Sequence, residues 1–221
     1  MKQTEFVEKY WDYYINLETD FINTQRYVTI DKDNYFAFSM EYAKQYQAIC
    51  SEIDVVCKQY CNLLCATNNA SNILGYANVI LTNREDIKSR IVKVTNLSRV
   101  MLEPWKGWNS DLEHPSNGES EKNVSPIWWT KYNKVKHSRT SSDIDGKEFF
   151  KEANLINTLN ALAGLFVLEM YFYKDVVLKE SIHSITIPIR VSKLLKIDDW
   201  EEHLHIVGED LIMEDFNPHG L

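Results

Sequence analysis

The stretch Asn154-Leu-Ile-Asn-Thr-Leu-Asn-Ala-Leu-Ala-Gly-Leu-Phe-Val-Leu-Glu-Met-Tyr-Phe-Tyr173 decides the fold. Leu155, Leu159, Leu162, Phe166, Met170 and Tyr173 recur at steps of three and four, the repeat of one helix face. Ala161, Gly164, Leu165 and Leu168 make the middle apolar on every side, and such a helix belongs at the centre of a bundle. The spacing predicts a helix from Lys147 to about Lys179, with Gly164 and the alanines letting neighbours approach closely. The most apolar run, Ala161 to Leu168, is too short to cross a bilayer, and Asn154, Asn157, Asn160 and Glu169 bracket it.

Upstream of this helix, Thr140 to Gly146 reads as a turn or linker. Before it lies Ser125-Pro-Ile-Trp-Trp-Thr-Lys-Tyr-Asn-Lys-Val-Lys-His-Ser-Arg139, the densest group of chemically capable side chains in the chain. Ser125 suits an N-cap and Pro126 the first helical turn. A helix starting there sets Trp129, Asn133, Lys136 and His137 on neighbouring turns of one face, with Trp128, Tyr132, Val135 and Arg139 on the adjacent one. The stretch from Lys131 to Arg139 contains four cations and no carboxylate.

Further out, Thr4 to Phe21 predicts an aromatic-rich helix striped by Phe6, Tyr10, Tyr13, Tyr14, Leu17 and Phe21. Arg26 to Ile30 is β-prone, and Asp31 to Asn34 reads as a turn. A long helix is expected from about Asn34 or Ser39 to Leu64, on a stripe of Ile49, Ile53, Val56, Tyr60 and Leu63. Glu52, close to that stripe, is placed to pair with a cation from another helix or to orient a catalytic histidine. Asn72 caps a short helix through Leu81. Arg90 to Val94 and Arg99 to Leu102 read as short strands or extended segments. Pro104 to Trp108 leads into a polar loop, Asn109 to Asn123, in which His114 is a solvated histidine. After the central helix, Ser184 to Ile189 alternates and is β-branched, an edge strand with Pro188. His203 and His205 are too few for a metal site without a third ligand, and Glu209 to Leu221 is acidic.

The chain has 221 residues with 7 Gly and 5 Pro, which favours long helices over a turn-rich β architecture. The net charge of −8 argues against non-specific coating of nucleic acid, while leaving room for a local basic site. Cys50, Cys57, Cys61 and Cys65 follow at intervals of seven, four and four, which is not a zinc-ribbon or zinc-finger spacing; they read as small thiols on a core-facing helix stripe. The N-terminal residues Met1 to Phe6 contain no apolar signal core, so a soluble cytoplasmic protein with no membrane association is expected.

At Tyr132-Asn-Lys-Val-Lys-His137 the sequence resembles the HEPN superfamily, α-helical domains many of which are metal-independent ribonucleases in antiviral defence and toxin–antitoxin systems. Their signature is an arginine, a gap of four to six residues and a histidine, often with a polar residue directly after the arginine. Asn133 fits the polar position and His137 the histidine. The arginine positions hold Thr130, Lys131 and Tyr132, and a lysine point charge does not replace a guanidinium fork. The longer run from Trp128 to Arg139 is similar to a bacterial group sharing Trp-Trp-x-x-Tyr-Asn-x-x-Lys-His-x-Arg before an apolar helix.

The resemblance implies a mainly α, HEPN-like helical bundle with a few short β-strands as appendages. Residues 1–180 would form that domain, with 109–123 as a flexible loop. Residues 181–221 would be a short β-containing extension packed on it. It implies a nucleic-acid-directed protein, a metal-independent endoribonuclease of phage defence or of a toxin–antitoxin pair, using no cofactor. His137, Asn133, Lys136 and Arg139 would then serve catalysis, and Lys131, Tyr132, Lys134 and Trp129 would bind substrate. Partners would be RNA or a nucleotide, a second copy in a homodimer, and an antitoxin or other protein. The alternative is a non-catalytic module of the same kind that binds RNA, a nucleotide or a protein.

Overall fold

The computed structural model describes residues 1–109, 125–180 and 191–200. Among these residues six α-helices carry the fold: α1 Gln3–Phe6, α2 Asp12–Thr24, α3 Met40–Leu64, α4 Ile73–Asn83, α5 Ile127–Ser138 and α6 Leu155–Glu180. A π-helical turn over Val7–Trp11 joins α1 to α2, so the expected aromatic helix is one rod with a widened turn. Three short strands, β1 Val92–Val94, β2 Leu97–Leu102 and β3 Leu195–Ile197, form an antiparallel sheet in the order β2-β1-β3. The mainly helical class therefore holds, with strands as appendages.

α6 is the axis. It packs along α3, and α1, α2, α5 and β3 lie against it. From Ala161 to Leu168 every side chain is buried, as the all-round apolar pattern requires. The segment Leu155–Lys179 has the length and apolarity of a membrane span, but 89% of its most apolar window is buried inside the protein. Internal packing accounts for that apolarity.

α3 obeys local rules at both ends. The Ser39 hydroxyl accepts from the Tyr42 amide at 3.0 Å, and the helix then runs to Leu64 on a buried stripe that includes Ile49, Ile53, Val56 and Tyr60. Cys50, Cys57 and Cys61 lie on that stripe, fully buried, and Cys65 beyond its end is half-buried; all four are free thiols. Asn72 caps α4 as expected, accepting from the Leu74 and Gly75 amides at 3.1 and 3.0 Å.

Other expectations are corrected. Arg26 to Ile30 is a run of turns, because the amides of Tyr27 and Val28 turn back to the Thr24 carbonyl at 2.9 and 3.0 Å. α6 begins at Leu155, since Phe149–Glu152 is a tight 3-10 turn and Ala153 leaves the helical region. The orphan amides of its first turn find distant acceptors: Leu155 N–H donates to Ala37 O at 2.9 Å and Ile156 N–H to Tyr35 O at 3.1 Å. β3 was not expected from the sequence. The proposed strand Ser184 to Ile189, most of the loop 109–123 with His114, His203, His205 and the acidic tail lie outside the described residues.

The described part of the C-terminal region is fastened by Glu18 on α2. Its buried carboxylate accepts from the Lys193 amide at 2.9 Å, from the Ser192 hydroxyl and from the Tyr14 hydroxyl at 2.8 Å. β3 then pairs with β1, Val92 opposite Ile197, with Val92, Val94, Leu195 and Ile197 all facing inward.

Candidate nucleic-acid interface

α5 is set by its aromatic face. Pro126 takes the cap position, and its carbonyl receives the Trp129 and Thr130 amides at 3.0 and 3.1 Å. Ser125 makes no cap; its hydroxyl lies 3.1 Å from that of Thr130. Trp128, Trp129, Tyr132 and Val135 are buried. The Trp128 indole donates to Pro104 O at 2.5 Å, and the Tyr46 hydroxyl of α3 donates to Trp128 O. Tyr132 packs edge-on against Tyr46 with ring centres 5.8 Å apart. Beneath, Trp105 stands across Trp128 and donates to Gly164 O at 3.0 Å. A Cβ on Gly164 would lie 3.1 Å from the Trp128 ring, so glycine is what lets α5 approach α6 this closely.

This anchoring fixes the opposite edge of α5 in solvent. Asn133, Lys134, Lys136, His137 and Arg139 are all exposed. Among the described residues, Asn133, His137 and Arg139 make no side-chain hydrogen bond or ion pair. Lys134 and Lys136 rest over aromatic faces, 5.1 Å from the Phe149 ring centre and 5.6 Å from that of Tyr132. It is their ammonium groups that lie over these rings, and both residues are exposed. Lys136 and His137 also fall in the last helical turn, where positive charge complements the helix dipole.

Three of the sequence-derived site residues lie elsewhere. Trp129 and Tyr132 belong to the core, at 8% and 5% exposure, and offer no open ring face to a base. Burial pushes the Tyr132 hydroxyl up to about 12, so it remains protonated. Lys131 is held at 2.7 Å by Glu152, which also takes Lys147 at 2.8 Å and the Asn157 amide at 3.3 Å. Burial opposes ionisation of Glu152, but the two ammonium groups outweigh it and hold its carboxyl below the usual range. Lys131 thus serves as a strut between α5 and the 3-10 turn.

Glu152 escaped sequence reasoning because its partner Lys131 is distant in the chain and no periodicity links them. Glu52 is half-buried and has no cation partner among the described residues; burial raises its carboxyl to about 7. Its electrostatic neighbour is the carboxyl of Glu169, inside the apolar helix α6. Among the described residues no three histidine, cysteine or acidic side chains converge in a way that would hold a metal ion. No protein-family model, curated protein or solved structure matches the chain.

What the edge offers chemically is narrow and clear. It has three exposed cations, an amide able to donate and accept, and an exposed imidazole that can donate or accept a hydrogen bond. Anionic, phosphate-bearing ligands suit it.

Proposed function

We propose that the exposed edge of α5 binds RNA and that the protein is a HEPN-like, RNA-directed protein that cleaves RNA without metal. The observation supporting this reading is that Asn133, Lys134, Lys136, His137 and Arg139 are all exposed along α5 and its C-terminal end, and that none of them is paired with a carboxylate among the described residues. Lys134, Lys136 and Arg139 contact phosphates. In cleavage the ribose 2′-oxygen attacks the adjacent phosphorus and the bond from phosphorus to the 5′-oxygen breaks. His137 takes the 2′-hydroxyl proton, and the imidazole of a second copy, across a two-fold axis, gives one to the departing oxygen. The products are a 2′,3′-cyclic phosphate and a 5′-hydroxyl. Arg139, Lys136 and Asn133 balance the charge that builds on the phosphorane oxygens. Phage defence or a toxin–antitoxin pair is the setting this chemistry suits.

A second reading is RNA binding without turnover. It is favoured by the free imidazole of His137, which no described carboxylate or carbonyl orients, and by the engagement of Lys131 with Glu152. One set of measurements separates the two. Incubated with RNA and a chelator, the wild-type protein should release cyclic-phosphate ends. His137→Ala should slow this by about 100-fold or more. Binding with no cleavage by either protein selects the second reading. Charge reversal at Lys134 and Lys136 should weaken RNA affinity and flatten its salt dependence, by about 0.7 in log–log slope for each phosphate no longer neutralised. RNA affinity unchanged in that variant would remove both readings.

A further inference from the structure

Trp129 and Tyr132 are buried, so an RNA strand on the edge of α5 would meet cations there but no open ring for its bases. Open rings lie on the segment that leads into α3. From Phe36 to Met40 exposure alternates: Phe36, Phe38 and Met40 are exposed, while Ala37 and Ser39 between them are half-buried. Large apolar side chains thus stand in solvent and the small ones are partly covered, the reverse of what burial favours. Phe36 is 73% exposed and Phe38 45%. Phe36 makes no ring contact among the described residues.

The backbone fixes this arrangement. Ala37 N–H donates to Asn34 O at 2.9 Å, and Ala37 O accepts from the Leu155 amide at 2.9 Å. Phe38 forms an antiparallel bridge with Asn154, and the Ser39 hydroxyl caps α3. Rings presented from a backbone already ordered lose little conformational freedom when a ligand covers them. The segment also continues into the basic edge of α5 through the 3-10 turn Phe149–Glu152. Lys134 of α5 lies over the Phe149 ring; the next residue, Phe150, meets Phe38 at 86° with ring centres 5.9 Å apart. Lys151 stands over the Phe38 ring, 5.8 Å from its centre. Its ammonium group is also 3.6 Å from Glu148, so the cations free of a carboxylate are Lys134, Lys136 and Arg139. Rings and cations thus form one connected run from α5 to Phe38.

We propose that Phe36 and Phe38 stack the bases of an RNA single strand whose phosphates lie along the edge of α5. The inference rests on the reading of α5 as an RNA-binding edge and narrows its ligand to unpaired RNA. In a duplex the bases stack on one another and their faces are closed to a protein ring. A single strand turns its bases out onto aromatic side chains. Every base has a flat face, so the platform selects for strandedness and tolerates sequence. The division of labour is spatial: α5 supplies the charge and the segment before α3 supplies the rings. A second copy of the chain covering the two rings is the competing occupant. RNA is favoured over it because the rings connect, contact by contact, to the basic edge.

Fluorescence anisotropy with the full chain tests this. The probes are a mixed-sequence RNA of about ten nucleotides, the same RNA as a duplex, and a strand of the same length with abasic sugars, a length within the usual span of single-strand sites. All carry 2′-O-methyl groups, so that none is cut. The single strand should bind about tenfold or more tighter than either control. Phe36→Leu keeps an apolar side chain at an exposed position and removes the flat ring. It should weaken single-strand binding by about tenfold and leave abasic binding and the salt slope unchanged. Phe38→Leu should act in the same direction, and Phe36→Trp should bind at least as tightly as wild type. Suppose that binding responds to charge reversal at Lys134 and Lys136 but is the same in both leucine variants as in wild type. The stacking is then overturned and the α5 reading stands. Equal affinity for strand and duplex overturns it in the same way, whereas no RNA binding at all removes both. A wild-type dimer that Phe36→Leu converts to a monomer in sedimentation equilibrium also overturns it, because the rings then belong to a protein interface.

Discussion

Glu169 sits in the middle of α6 with no exposed surface, and neither carboxyl oxygen has a hydrogen-bond partner among the described residues. Burial pushes its carboxyl well above the usual range, and the nearby Glu52 adds to this. The sign of the pH effect follows. Unfolded, the group titrates near its ordinary value of 4.5, whereas folded it keeps its proton to much higher pH. The native state thus holds more protons than the unfolded chain once pH passes 4.5, and stability falls as pH rises from there. Glu52 acts in the same direction between 4.5 and about 7. Glu169→Met keeps the volume and removes the unpaired oxygens. It should stabilise the protein at pH 8 by about 1–3 kcal/mol and have much less effect at pH 5. Urea unfolding at the two pH values checks this; a gain that is equal at both would show that Glu169 is not a neutral acid in the folded protein.

At the scale of elements, the close approach of α5 to α6 rests on Gly164. Gly164→Ala would set a methyl group 3.1 Å from the Trp128 ring, and Trp105 on the other side leaves little room to shift. Destabilisation of about 1–3 kcal/mol is expected. RNA affinity should fall with it, because the same tryptophan holds the basic edge of α5 in place; thermal unfolding and RNA titration of one preparation measure both. Elements governed by local rules were legible in the sequence. Asn72 capped the helix it was expected to cap, α3 began at Ser39, the later of the two starts its spacing offered, and the apolar periods of α3 and α6 appear as buried stripes. The start of α6 was not legible, since its first amides are satisfied by Ala37 and Tyr35 from across the fold. Arg26 to Ile30 has β-branched residues, yet its backbone bonds close on the end of α2. In the candidate site, helical spacing pointed to Asn133, Lys136 and His137, which are exposed on α5. Spacing has no means of showing that Glu152 holds Lys131, or that Trp129 and Tyr132 turn inward under Tyr46.

For the molecule as a whole, Glu18 matters more than its position in α2 suggests. One carboxylate gathers the Lys193 amide, the Ser192 hydroxyl and the Tyr14 hydroxyl, and so joins the N-terminal helices to the strand that completes the sheet. Glu18→Ala should cost about 2–3 kcal/mol. It should also speed hydrogen exchange at the Lys193 and Leu195 amides well before the amides of α3 and α6 are affected. Uniform acceleration across the protein would mean that β3 is not a separately held element.

The thiols of α3 make that helix self-reporting. Their accessibility differs along its length: Cys65 lies half-open at the end, with its thiol pulled below the ordinary value by Thr67, while Cys61, Cys57 and Cys50 are buried, and burial raises Cys61 to about 12 and lifts Cys57 and Cys50 well above the ordinary value. A thiol-selective reagent therefore reads α3 as a ruler. The first mark is reached in the intact protein, and each later one only as the helix packed near it comes away, α4 at Cys61 and Cys57 and α5 at Cys50, so the number of labels on a molecule records how far it had come undone.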